Sequence, residues 1–196
     1  MRYKKVSTLS FLCIVISFLL CQSAYATTMK RLGITELTKG SSHVVQCKIK
    51  TIKSSWNEER TLITTEIELD VSEVVKGTIS EKTILLKMPG GTIDGRTTVV
   101  VGAPSFDVGE EVVLFLKRMD KRDVAARDQY GLVGLSQGKF SVQYDKVKKT
   151  TVAVSNARKF GLSLMPEQAG GTKIANEKER FSLDELFTQI KNVKSN

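Results

Sequence analysis

Histidine and cysteine are almost absent from this 196-residue chain: there is one histidine, His43, and there are three cysteines. Cys13 and Cys21 sit in an apolar N-terminal stretch, which leaves Cys47 alone in the remainder. A lone cysteine closes no intramolecular disulfide, so a disulfide-stapled scaffold is excluded. A zinc centre needs three or four N, S or O ligands at suitable spacing, and one Cys with one His cannot supply most of them. No metal and no other cofactor is expected. Phosphate loops are missing as well. Neither Pro89-Gly90-Gly91 nor Gly102-Ala103-Pro104 is followed by the glycine-lysine start of a helix. Ser105 and Ser136 lie in glycine-containing loops, but neither stands in G-x-S-x-G, and His43 is the only imidazole base on offer. Aromatic residues make up 7% of the chain. That is thin for a nucleic-acid face, which interleaves basic and exposed aromatic side chains. Trp56, Tyr130, Phe140 and Tyr144 are the candidates for such a patch, with Lys139, Lys146, Lys148 and Lys149 near the last two.

What is present begins with a leader. Arg2, Lys4 and Lys5 form a basic start, Leu9 to Cys21 is apolar apart from two serines, and Ala24-Tyr25-Ala26 is a small-x-small site. This is the pattern of a secretory signal peptide over residues 1–26, with cleavage expected after Ala26. The apolar run falls short of the ~20 residues that a membrane span needs. Lipidation at Cys21 is disfavoured, because Leu20 occupies the place where a small residue is wanted. The expected mature chain, from Thr27 to Asn196, holds no second apolar run of spanning length. Periplasmic or secreted localisation follows, and export argues against intracellular nucleic acid as a partner. The leader takes three of the 30 basic residues and none of the 21 acidic ones, which leaves a net charge of +6. Such a balance serves solubility first and favours a polyanion second.

The stretch Ile63 to Gly77 organises the rest. Ile63, Thr65, Ile67, Leu69 and Val71 alternate with Thr64, Glu66, Glu68, Asp70 and Ser72. Alternation of this length predicts one long half-buried strand. Residues 43–54 read as the strand before it, with Val45, Cys47 and Ile49 in phase and Ile52 out of phase by one. A slip of one predicts a bulge or sharp bend. WNEER, Trp56 to Arg60, reads as the turn between the two. Thr83 to Met88 is a third strand that ends at Pro89-Gly90-Gly91. Asp94-Gly95 followed by TTVVV, residues 97–101, reads as a small hairpin. Gly102 to Gly109 is a loop, and Glu111 to Leu116 is a strand buried on both faces. Lys117 to Asp128 is a charged loop. Tyr130 to Leu135 is a strand, Gln137 to Lys139 a turn, and Phe140 to Tyr144 with Thr150 to Val154 a hairpin whose tip begins at Asp145-Lys146.

The ends of the chain carry the helices. Leu32, Ile34 and Leu37 suit one short helical face that ends at a left-handed Gly40 and covers a barrel mouth. Ser182 caps a C-terminal helix whose apolar face is Leu183, Leu186, Phe187 and Ile190. The expected fold is all-β: a small OB-like, partly open barrel, or a sandwich, with a peripheral C-terminal helix. The β-barrel domain is placed at residues 27–155, a linker or irregular segment at 156–180 and the amphipathic helix at 181–193.

Two sets of charged or reactive residues invite a chemical reading. His43 and Cys47 are four apart and share a strand face, but ~13 Å is too far for a nucleophile to meet its base. Cys47 is therefore expected to be a buried small apolar residue. Glu66, Glu68 and Asp70 form an acidic stripe opposite Lys48 and Lys50, and cross-strand pairing accounts for it.

One phrase resembles a set of exported bacterial proteins with no assigned activity. It runs Ile63-Thr64-Thr65, Val74-Val75-Lys76-Gly77, Pro89-Gly90-Gly91, Gly102-Ala103-Pro104, Phe106, Gly109-Glu110, Val113-Leu114-Phe115-Leu116, Val133-Gly134-Leu135 and Gln137-Gly138-Lys139-Phe140. More distantly, the strand ending in Lys-Gly and the later Leu-Phe-Leu are similar to the netrin-type OB module, which includes the tissue inhibitors of metalloproteases. That resemblance implies an OB barrel and a protein-binding role. It does not imply the zinc-chelating mechanism, which needs an N-terminal cysteine where this chain is expected to begin with Thr27.

No catalytic set is assembled. The expectation is an exported, non-enzymatic interaction module whose partner is an exported or envelope protein. Its candidate surface is the loop group around Trp56, Pro89 to Gly95 and Gly102 to Gly109, with Trp56, Pro89, Gly90, Gly91, Pro104 and Phe106 as its marked residues, because turn-rich loops are where function usually sits. The alternatives are a binder of polyanions or cell-envelope polymers, and a hydrolase that uses carboxylates such as Glu66 or Asp70.

Overall fold

Two strands of 14 residues each carry the fold. A computed structural model describes residues 28–57, 59–119, 128–155, 163–165 and 180–193. The elements in chain order are β1 (Thr28–Lys30), α1 (Ile34–Gly40), β2 (His43–Trp56), β3 (Ile63–Lys76), β4 (Thr83–Pro89) and β5 (Gly91–Ile93). There follow β6 (Arg96–Thr98), β7 (Glu111–Arg118), β8 (Gln129–Leu132), a 3-10 turn at Leu135–Gly138, β9 (Lys139–Asp145) and β10 (Thr150–Ser155). The last are β11 (Ser163–Met165), β12 (Arg180–Ser182) and α2 (Leu183–Asn192).

Five strands close a barrel in the order β7-β2-β3-β4-β8 and back to β7. β8 is the closing strand. It lies parallel to β4, with Leu86 opposite Tyr130, and antiparallel to β7, with Leu116 opposite Leu132. Each of these strands has a neighbour on both sides, although β2 pairs with β7 only over His43–Lys48 and β3 with β4 only up to Asp70. The barrel is OB-like and all-β as expected, and it is closed rather than partly open. β7 shares one edge between two partners: its later half pairs with β8 and its earlier half with β9, Val112 opposite Ser141. The sheet therefore leaves the barrel through β9, β10 and β12.

The phase slip in β2 is a bulge. Ile49 and Thr51 face consecutive residues of β3, Leu69 and Glu68, so Lys50 is extra. That one residue turns Ile52 to the face that Val45, Cys47 and Ile49 occupy before it, and all four pack in the barrel interior. β3 carries two irregularities of its own near Ser72 and Val75. The clean alternation stops there: Val74 packs on the barrel core and Val75 on the other side.

That other side is a second core, outside the barrel. Val44, Val113 and Phe115 point outward from β2 and β7 and are fully covered by Leu37 of α1, Phe140 of β9, Ala153 of β10 and Leu186, Phe187 and Ile190 of α2. Val112, Leu114 and Leu116 point into the barrel. β7 is thus buried on both faces, as its continuous apolar run predicts. Ser182 Oγ accepts a hydrogen bond from the Glu185 backbone N–H and caps α2. Among the described residues no helix is long and apolar enough to cross a membrane.

Several details differ from the sequence expectations. Gly40 is helical; α1 ends at Ser41, in an extended conformation, and Lys76 Nζ donates to the Thr38 and Ser41 carbonyls at 2.6 and 2.9 Å. A cation on the carbonyl end replaces the glycine cap. α1 packs on the outer core rather than over a barrel mouth. Trp56 belongs to β2 and pairs with Ile63. The strand of TTVVV stops at Thr98, and β8 stops at Leu132, where Gly134 and Leu135 turn left-handed into the 3-10 turn. Within the segment expected to be linker or irregular, 156–180, residues 163–165 form β11, which pairs with β1 in parallel, and residues 156–162 and 166–179 lie outside the described residues. The leader, its cleavage site and Cys21 lie outside the described residues, as do residues 120–127 of the charged loop.

Candidate functional site

The chain leaves β4 through Pro89, Gly90 and Gly91, and the two glycines adopt φ of 95° and 138°. Gly90 N–H donates to the Ile63 carbonyl, and Thr65 Oγ1 donates to the Gly90 carbonyl at 2.7 Å. A Cβ on Gly91 would run into Thr65 Oγ1 and Ser54 Oγ, so the position takes no side chain. The tight exit lets the β5–β6 hairpin, turned at Asp94-Gly95, leave the barrel and return.

Residues 99–110 then lead back to β7, and they are tied down at four places. Ala103 N–H donates to the Val100 carbonyl, and Ser136 N–H donates to the Gly102 carbonyl. Gly109 N–H donates to the Ile49 carbonyl, while Ile49 N–H donates to the Glu110 carbonyl. Lys139 Nζ donates to the Ser105 carbonyl at 2.6 Å and to Glu110 Oε2 at 2.7 Å. Ser141 Oγ donates to the other carboxylate oxygen. The same ammonium lies 4.5 Å from the centre of the Phe106 ring. Lys139 therefore fixes both the backbone and the aromatic side chain of this loop.

Between the β4 exit and the loop lies a cavity of about 310 Å³. Ile52, Ile67 and Met88 of the barrel wall form its floor. Pro89, Gly90 and Gly91 form one side, and Val99, Val100 and Ala103 to Phe106 the other. Among the described residues no charged one lines it. Val99, Val101 and Val108 are exposed on the same loop. Of these, Val99 lines the cavity itself.

Five of the six residues singled out from sequence, Pro89, Gly90, Gly91, Pro104 and Phe106, line this one cavity. Trp56 does not; it stands half-buried at the end of β2. Ser105 falls inside the loop read from sequence as part of the surface, whereas Ile52, Met88 and Val99 as lining residues, and Lys139 as the brace, were not singled out. The phase slip at Ile52 was the available signal for the floor. Nothing local marks Lys139, whose partners Ser105 and Glu110 are about thirty residues away.

The reactive pair resolves differently. Cys47 is fully buried in the barrel core, and burial pushes its thiol up to about 12, with Glu111, Asp70 and Glu110 adding to the shift. A thiol held so far from ionisation is no nucleophile at neutral pH. His43 donates from Nε2 to the Thr78 carbonyl at 3.2 Å, has Ser42 Oγ 2.9 Å from Nδ1, and meets Tyr130 edge-on at 5.2 Å. In the acidic stripe Lys50 reaches Glu68 at 3.5 Å as expected, whereas Glu66 is reached at 3.8 Å by Lys87 of β4 rather than by a lysine of β2.

A larger groove of about 640 Å³ shares Met88 and Pro89 with the cavity at the β4 exit and has Lys87, Lys117 and Arg118 beside Met119, Leu132 and Leu135. Two of its cations are engaged, Lys87 by Glu66 and Arg118 by Asp128 at 2.6 Å. Among the described residues no group of three or more His, Cys, Asp or Glu is placed to hold a metal ion.

Compared with known proteins, the chain matches no family model, and no curated protein matches it at a significant level.

Proposed function

We propose that this protein is an exported, non-catalytic binding module that receives an apolar side chain of a partner protein in the barrel-mouth cavity. One observation carries the reading: a cavity of about 310 Å³, with no charged residue in its lining among the described residues, is built from a glycine exit and a braced loop, with the exposed Val99 in its wall. Its volume is at the small end of ligand sites and suits one side chain better than an extended cofactor. Burying one leucine or phenylalanine there contributes about 1.5–3 kcal/mol, or ~10- to 100-fold in affinity. The loop is held in place before binding, which lowers the ordering cost of association.

The test is to fill the cavity without moving its walls. Ser105 is exposed and lines the cavity, and only its backbone carbonyl meets Lys139. Ser105→Trp is expected to abolish selection of apolar-anchored peptides from a displayed random-peptide library, and to leave thermal stability unchanged. Trp56→Ala is expected to leave selection intact. If the wild type selects no such peptides, or Ser105→Trp selects the same ones, the cavity is not the binding site.

A further inference from the structure

The hairpin between β9 and β10 ends in four turn residues, Lys146, Val147, Lys148 and Lys149, after Asp145 and before Thr150. Three are lysines. The fourth, Val147, is 93% exposed, and Tyr144 beside the tip is 63% exposed. Turn tips favour Gly, Asn, Asp and Ser, so an uncovered valine there departs from ordinary turn chemistry.

The tip is preshaped. Asp145 Oδ1 accepts hydrogen bonds from the Val147 and Lys148 backbone N–H groups, and Oδ2 accepts one from Arg180. These contacts hold the Asp145 carboxyl below the usual carboxylate range. The one acidic group at the tip is therefore spent on backbone and on Arg180. Among the described residues none of the three lysines has an ion-pair partner. The result is a preshaped tip with three cations around an apolar point, none of them in an ion pair among the described residues, although Lys148 acts on Asp145 through space.

We propose that this tip is a contact for an anionic lipid surface, with Lys146, Lys148 and Lys149 on the headgroups and Val147 and Tyr144 in the interfacial layer. Charge complementarity sets the sign of the partner. The apolar pair selects a bilayer over a soluble polyanion, because a polymer chain gains from the lysines but offers nothing to an exposed valine. Tyrosine suits such an interface, with an apolar body and a polar end. Each lysine near an anionic leaflet contributes about a fivefold gain in partitioning, and salt weakens it. Stable attachment takes two kinds of signal, and the tip supplies both charge and apolar area.

The experiment is vesicle co-sedimentation of the protein as recovered from an expressing cell, every variant being processed in the same way. Vesicles of phosphatidylcholine alone are compared with vesicles containing about a third phosphatidylglycerol, at low and high salt. Retention on immobilised heparin runs in parallel. Wild type is expected on anionic vesicles only, with loss at high salt. Replacing the three lysines by glutamine is expected to weaken vesicle binding by about two orders of magnitude and to reduce heparin retention. Val147→Ser with Tyr144→Ser is expected to weaken vesicle binding about tenfold or more and to leave heparin retention unchanged. All these positions are exposed, so the fold is expected to persist, as circular dichroism would show. Absence of wild-type binding to anionic vesicles, or indifference to the Val147 and Tyr144 substitutions, overturns the proposal. Heparin retention without vesicle binding assigns the tip to a soluble polyanion instead.

Discussion

Lys139 and Glu110 form an ion pair at 2.7 Å, with the lysine side chain 8% exposed and the glutamate 20%. The pair joins the start of β9 to the residue before β7, and it sets the loop that walls the barrel-mouth cavity. Lys139→Met removes the cation and leaves Glu110 with Ser141 as its remaining side-chain donor. Breaking a fully buried pair costs about 3–5 kcal/mol, and the residual exposure of Glu110 reduces this to about 2–3 kcal/mol. The urea midpoint is expected to fall accordingly. Lys139→Met with Glu110→Gln is expected to recover part of the loss, because no carboxylate is then left unpaired. Additive losses in the double variant would show that the two side chains act independently.

Glycines of positive φ separate two kinds of constraint. At Gly91, φ is 138° and an added Cβ would collide with Thr65 Oγ1 and Ser54 Oγ. At Gly95, φ is 72° and nothing lies within 4 Å. Gly91→Ala is expected to destabilise by on the order of 3 kcal/mol, since strain and overlap add. Gly95→Ala carries only the left-handed penalty, about 1 kcal/mol. Thermal melts of the two variants check the difference. Equal shifts would mean that the barrel wall yields to a methyl group at Gly91.

How much of this was legible in the sequence follows from the range of each interaction. The β3 alternation from Ile63 to Val71, the slip at Ile52 and the two-sided burial of β7 are local patterns, and each has its counterpart in the barrel. Gly40 suggests the end of α1 locally, but the residue that bonds its last carbonyls, Lys76, arrives from the far end of β3. TTVVV looked like a strand to Val101, but no partner strand extends past Gly91 to pair with Val99 and beyond. The cavity was half legible: Pro89 to Gly91 and Pro104 to Phe106 announce turns, whereas Met88 and Ile67 are ordinary core positions until the loop closes over them. Lys139 looked like one more surface lysine. Its burial depends on Glu110 and Ser105, which only the β7–β9 pairing brings close.

Acid is expected to weaken the fold through His43. Burial is the main cause that lowers its pKa from 6.5; Arg118 and Lys76 act in the same direction, while the Thr78 hydrogen bond and Asp128 oppose them. The unfolded chain therefore takes up a proton at a higher pH than the folded one does. Between the folded value and about 6.5 the unfolded state binds more protons, so stability rises with pH across that window. The contribution is fully present above about 6.5 and is lost as pH falls towards the folded value. Asp145 acts in a separate window: its carboxyl lies below the reference value of 3.8, so its contribution is lost only in stronger acid. Urea midpoints measured from about pH 7.5 to about pH 5 are expected to decline for the wild type. His43→Gln keeps a neutral side chain in place and is expected to flatten that part of the curve. A variant curve parallel to the wild-type curve would assign the dependence to another group.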